Sequence, residues 1–282
     1  MENPQQPLAP LLNPHLPGAP EPEPRSAWKR IGGAITAFGL LLLNFGAKLK
    51  FVLLLLPKLK ILTTSGSMLV SIGAYALIWG WRFGVGFVLL LFVHEMGHVI
   101  QLRREGIKAS APMFIPFLGA IVAMKEMPKN AGAEARVGLA GPVLGSLGAL
   151  ACVGLYELTG DELFKALAFV GFFLNLFNLL PVLPLDGGRA MAALSPTFWL
   201  VGFALLIGVT ILYPNPIMIL VILFGGMETY RRYKARKEPE SQEYLKVAPH
   251  TRWLVAGVYL GLAVLLALGM DLTHIARDFG DV

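Results

Sequence analysis

Apolar residues dominate the chain in runs too long and too uniform for the faces of a soluble fold. After residue 64 seven such runs follow, at roughly 66–81, 84–103, 135–157, 163–181, 197–213, 216–230 and 253–270. A helix needs about 20 apolar residues to cross a bilayer. Several runs fall short of that, which is tolerated where a helix packs against protein or lines a polar cavity. The pattern predicts an all-α polytopic membrane protein with about seven transmembrane helices. Between the second and third runs lies "ASAPMFIPFLGAIVAMKEMP" (109–128). It is β-branched and aromatic and is interrupted by Pro and Gly, which predicts a short β-hairpin or re-entrant loop.

The first 64 residues read differently. Residues 1–30 are Pro-rich and cannot pack a core, so they read as a disordered tail. Residues 31–64 hold two apolar stretches, the second with lysines at both ends. They read as an interfacial or amphipathic helical segment whose lysines snorkel to headgroups; one additional span is the alternative. The rest divides into a transmembrane core at 65–192 and accessory helices at 193–282 with a basic linker at 231–252.

Charge placement adds an orientation. Lys58 and Lys60 precede the first run, Arg103, Arg104 and Lys108 follow the second, and Lys125, Lys129 and Arg136 precede the third. Arg189 follows the fourth run and "RRYKARK" (231–237) the sixth. All fall on one side if the first span runs outward from the cytoplasm. Arg82 is the exception. Composition agrees: 55% of the 282 residues are hydrophobic and 15% charged, against about a quarter charged in soluble domains. The net charge of +6 sits beside apolar runs, so the partners expected are a lipid bilayer and a membrane-protein substrate, with no nucleic acid. The single cysteine, Cys152, excludes an intramolecular disulfide and a thiolate metal cage. Nothing in the chain specifies oligomeric state, and a bacterial inner membrane is the default location.

Against this background "HEMGH" (94–98) is anomalous. Ionisable groups inside a span cost several kcal/mol unless paired, coordinated or hydrated. Residues four apart share a helix face, so His94 and His98 can bind one metal ion. Glu95 projects to the side, where a carboxylate reaches metal-bound water rather than the metal. H-E-x-x-H is a zinc-peptidase pattern with these roles. Catalytic zinc takes three protein ligands. His15, His250 and His274 lie in a tail or near membrane ends. Asp186, in "NLLPVLPLDGG" (178–188), lies where Pro181 and Pro184 break the fourth span. The second and fourth spans run in the same direction, so their cytoplasmic ends can meet. A loop Asp that caps the next helix is the plain alternative. Asn178, one turn before the break, is a candidate for substrate or oxyanion contact; Asn175 is a weaker one. The small-residue stretch "GLAGPVLGSLGA" (138–149) reads as close helix packing alone.

"HEMGH" followed after two spans by "NLLPVLPLDGG" resembles the site-2 protease family of intramembrane zinc metalloproteases. "FIPFLGA" (114–120) and "EARVGLAGPVLG" (134–145) are similar to family segments between these motifs. The resemblance covers about residues 66–190. It implies one Zn2+ per chain held by His94, His98 and Asp186, with Glu95 as catalytic acid/base, and it matches Asn178 to the family's asparagine. Leu183 stands where many members have a further proline. A metal transporter or sensor is the alternative function, although it has no evident need of Glu95. A catalytically silent scaffold would need none of the four.

Overall fold

The computed structural model describes residues 64–212 and 216–274. The tail at 1–30 and the lysine-flanked stretch at 31–63, including any extra span there, lie outside the described residues. The chain forms α1 (Thr64–Trp79), α2 (Trp81–Arg104), β1 (Met113–Ile115), β2 (Gly119–Ile121), α3 (Ala131–Thr159), α4 (Glu162–Asn178), α5 (Asp186–Leu194), α6 (Thr197–Leu212), α7 (Pro216–Ala235), α8 (Pro239–Tyr244) and α9 (Pro249–Leu272). A helix stands at each of the seven apolar runs. Three of them, α2, α3 and α9, are long and apolar enough to cross a membrane; α1 and α6 are apolar but shorter.

Local signals set the joints. Gly80 alone separates α1 from α2 and takes a positive φ of 84°, a conformation L side chains rarely adopt. Asn130 caps α3 by accepting from the Ala133 amide at 2.9 Å, and Gly160 ends that helix at φ 68°. Asp161 then caps α4 through the Leu163 amide at 3.0 Å. It also pairs with Arg82, which neutralises the one arginine on the unexpected side.

The predicted hairpin is present. β1 and β2 pair antiparallel in the register Met113↔Ile121, Phe114↔Ala120, Ile115↔Gly119. Two side chains of α1 hold it: Ser67 Oγ accepts from the Phe114 amide at 3.1 Å, and Tyr75 Oη accepts from the Phe117 amide at 3.0 Å. Its second strand lies beside α2.

Helix α3 is central, packing against α2, α4, α5 and α9. The linker at 231–252 is more ordered than its charge run suggests. α7 continues through Ala235, and α8 follows at once. The reason is an ion-pair network. Arg232 donates to Glu228 one turn back at 2.9 Å and to both carboxylate oxygens of buried Glu134 at 2.8 and 3.0 Å. Tyr244 of α8 donates to the same carboxylate at 2.8 Å. A charge buried in this way needs such partners.

Candidate metal centre

The polar residues of α2 occupy its buried face. Phe87, Leu91, His94, His98 and Leu102 are all buried and recur at the three- and four-residue spacing of one helix stripe. On α4 the same rule buries Leu167, Ala168, Gly171, Phe172 and Asn175. The chain leaves α4 after Asn178, crosses the Pro181–Pro184 segment and restarts a helix at Asp186. That restart carries the Asp186 carboxylate to α2.

His94 Nε2 and Asp186 Oδ2 are 3.1 Å apart, His98 Nε2 and Asp186 Oδ2 3.2 Å, and the two Nε2 atoms 3.2 Å. The three side chains offer donor atoms that converge on one point. A tetrahedral zinc with bonds of about 2.0–2.1 Å has ligand–ligand edges of about 3.3–3.4 Å, so the triangle has nearly the size the ion demands. The donor set fits as well: two imidazoles and one carboxylate, with a fourth direction free for water or substrate. Without a cation, two ring lone pairs and a carboxylate oxygen would face one another in a buried site.

The outer partners orient these ligands. His94 Nδ1 lies 2.8 Å from Asn175 Oδ1, and His98 Nδ1 lies 2.8 Å from the Val137 carbonyl. Asn175 Nδ2 donates to the Gly171 carbonyl at 2.7 Å, which leaves Oδ1 as the atom facing His94. Both acceptors require Nδ1–H, so each Nε2 presents a lone pair to the centre. Asp186 does not cap its own helix; Leu185 holds that position without a side-chain bond. The plain loop reading of Asp186 therefore does not describe its surroundings. Its place in the first turn also suits a carboxylate electrostatically.

Glu95 is buried beside this cluster. Asn178 is half-buried at the end of α4; the carboxamide that touches the imidazole belongs to Asn175. The two differ by three residues in an apolar helix, and only the direction of α4 relative to α2 distinguishes them. His250 is exposed and bonds Thr251, and exposed His274 stands edge-on to Phe169; His15 lies outside the described residues.

The small-residue stretch of α3 does more than close packing requires. A β-carbon at Gly141 would lie 2.2 Å from His98 Nε2 and 2.9 Å from His94 Nε2. One at Gly145 would lie 2.2 Å from Asn175 Oδ1. These glycines form the wall of the metal centre. Small-residue spacing was visible in the sequence, but what the bare backbone faces was not.

Two stretches of the chain, 82–160 and 155–200, match peptidase family M50. Residues 82–200 are thus similar to this family, that of the site-2 proteases. The chain is 30% identical over 115 residues to a zinc metalloprotease of Methanocaldococcus jannaschii, covering 38% of this chain and 33% of that protein. It is 32% identical over 135 residues to Rip3 of Mycobacterium tuberculosis, provisionally named a zinc metalloprotease, covering 44% and 34%. A similarly named protein of Synechocystis is 30% identical over 124 residues, covering 40% and 32%. The matched stretch thus spans about a third of each relative's length.

Proposed function

We propose that this protein is an intramembrane zinc metalloendopeptidase that hydrolyses peptide bonds of membrane-spanning or membrane-associated protein substrates. One observation carries the reading: His94 and His98, with Glu95 between them on a helix long enough to cross a membrane, converge with Asp186 at zinc-like spacing. The similarity of the surrounding segment to that peptidase family supports it.

A bound zinc supplies a polarised carbonyl and an acidified water. Glu95 takes a proton from the attacking water as it adds to the peptide carbonyl carbon. It then delivers that proton to the leaving amine as the C–N bond breaks. Asn175 and the Val137 carbonyl keep the imidazoles oriented throughout. A helical substrate must unwind to expose its amide. The β2 strand beside α2 is suited to take up the unwound peptide as an added strand.

The chain sits in the membrane with all seven long helices as spans, the shorter ones packed against protein. Basic residues flank α2 at Arg103 and Arg104, little more than a turn past His98, which supports a site nearer the cytoplasmic side. A bacterial inner membrane is the corresponding location.

The test is metal analysis of the purified protein, followed by incubation with single-span peptides. Wild type holds one zinc per chain and cleaves. Glu95→Gln keeps the zinc and loses cleavage by a factor of at least about 10²–10⁴. A wild type without stoichiometric zinc sinks the proposal. Metal flux across vesicles that vanishes together with zinc binding would favour a transporter instead.

A further inference from the structure

The segment between α4 and α5 leads directly into Asp186 and buries Leu179, Val182 and Leu183. Residues 179–185 are irregular, and Pro181 and Pro184 have no N–H to donate. Irregular backbone at membrane depth must find its hydrogen-bond partners within the protein. The structure shows one such partner on the segment and a second tie on the first turn of α5. Tyr259 of α9 donates its hydroxyl to the Leu179 carbonyl. Trp199 of α6, almost wholly buried, donates its indole N–H to the Gly188 carbonyl at 2.7 Å. A β-carbon at Gly187 would lie 2.0 Å from the Leu179 oxygen. The tyrosine hydroxyl thus secures a carbonyl pressed against the residue next to Asp186.

The remaining walls are also late in the chain. A β-carbon at Gly202 of α6 would lie 2.3 Å from the Pro181 carbonyl oxygen, and one at Gly225 of α7 would lie 2.3 Å from the Leu183 carbonyl oxygen. Three helices therefore close on the segment from outside the α2–α4 core. All but the first turn of α6, and α7 and α9 entirely, fall beyond the family match that ends at residue 200.

We propose that Tyr259 and Trp199 are positioning residues for the third metal ligand: they hold the 179–188 backbone so that Asp186 meets His94 and His98 at the spacing zinc requires. Neither residue touches substrate or metal. The inference rests on the metal centre proposed above, and it assigns the C-terminal helices a part in forming that centre.

The experiment uses the full chain in detergent or nanodiscs and reads zinc affinity by chelator competition. The visible spectrum of the cobalt-substituted protein and the unfolding midpoint of the metal-free form are read alongside. Tyr259→Phe and Trp199→Phe are each expected to weaken zinc about tenfold, at the low end for partners outside the ligand shell, and to alter the cobalt spectrum. Tyr230→Phe and Trp253→Phe, which change exposed aromatics, are the controls and leave both readings unchanged. A lowered unfolding midpoint with wild-type zinc affinity and cobalt spectrum would reduce the two residues to general packing and overturn the proposal. If Trp199→Phe does not fold, Tyr259→Phe, which removes one oxygen, decides alone. Wild type without zinc would fail the metal centre itself; wild type with zinc beside unaltered variants fails only this inference.

Discussion

Helices α2 and α9 are both 24 residues long, and both are apolar enough to cross a membrane, yet they do opposite work. α2 buries His94, Glu95 and His98 among α1, α3 and α4. α9 buries only Val255, Leu262 and Leu266 and exposes Trp253, Leu254, Leu260, Val264 and Leu268. A span can hold ionisable groups only where neighbouring helices supply partners and exclude lipid. A span at the edge is free to be apolar skin and to contribute a single hydroxyl inward, as α9 does through Tyr259. Apolar length alone does not separate the two cases.

The sharpest way to break this comparison is a methyl group. A β-carbon at Gly97, between the two histidines, would lie 2.2 Å from the Ala140 carbonyl oxygen, whereas one at Gly257 of α9 meets nothing within 4 Å. Gly97→Ala must push α2 off α3 and move the ligands, and shifts of that order cost about a hundredfold in activity. Gly257→Ala should leave cleavage and zinc content at wild-type levels. Equal effects from the two would mean that α9 is as tightly enclosed as α2.

A smaller change tests whether the buried face of α2 depends on its partners. Asn175→Ala removes the acceptor for His94 Nδ1–H and is expected to weaken zinc about tenfold, measured by chelator competition. Asn178→Ala, at the position the family motif singles out, should spare metal affinity. If Asn178→Ala alone weakens zinc, the assignment of the outer partner to Asn175 is wrong.

The smallest effect lies at the C-terminal end of α2. Arg136 donates to both oxygens of Glu105, at 2.7 and 3.0 Å, and these bonds hold the Glu105 carboxyl below the usual carboxylate range. A carboxylate with a lowered folded-state pKa adds stability above its unfolded pKa and loses it as pH falls through the folded value. Wild type should exceed Glu105→Gln by about 0.2–1 kcal/mol at neutral pH, as a partly exposed pair does. The difference should begin to shrink below the free glutamate value of about 4.3 and vanish once pH has fallen through the lowered folded value. Unfolding curves across that range decide it, and a gap that persists in acid would contradict the pairing.

Much of this was legible in advance where the chemistry is local. Gly80, Asn130, Gly160 and Asp161 punctuate the helices by their own backbone preferences. The hairpin follows from β-branched and aromatic residues between Pro and Gly. Hydropathy placed a helix at each of the seven apolar runs, since apolar backbone without water must satisfy itself within each helix. Hydropathy did not foresee α8 or the extension of α7, because Arg232 owes its order to Glu134, 98 residues earlier.

The sequence by itself determined that His94, Glu95 and His98 share a helix and that a carboxylate returns after a broken span, because periodicity and proline chemistry act over a few residues. Only the tertiary structure decided the rest. Asn175 rather than Asn178 meets His94, since helix rotation depends on every neighbour at once. Gly141 and Gly145 border the metal centre because α3 approaches α2 and α4 closely enough to admit no side chain. Tyr259 reaches the Leu179 carbonyl from a helix 80 residues on, and Trp199 reaches the Gly188 carbonyl from the next helix, because such ties depend on how whole helices pack.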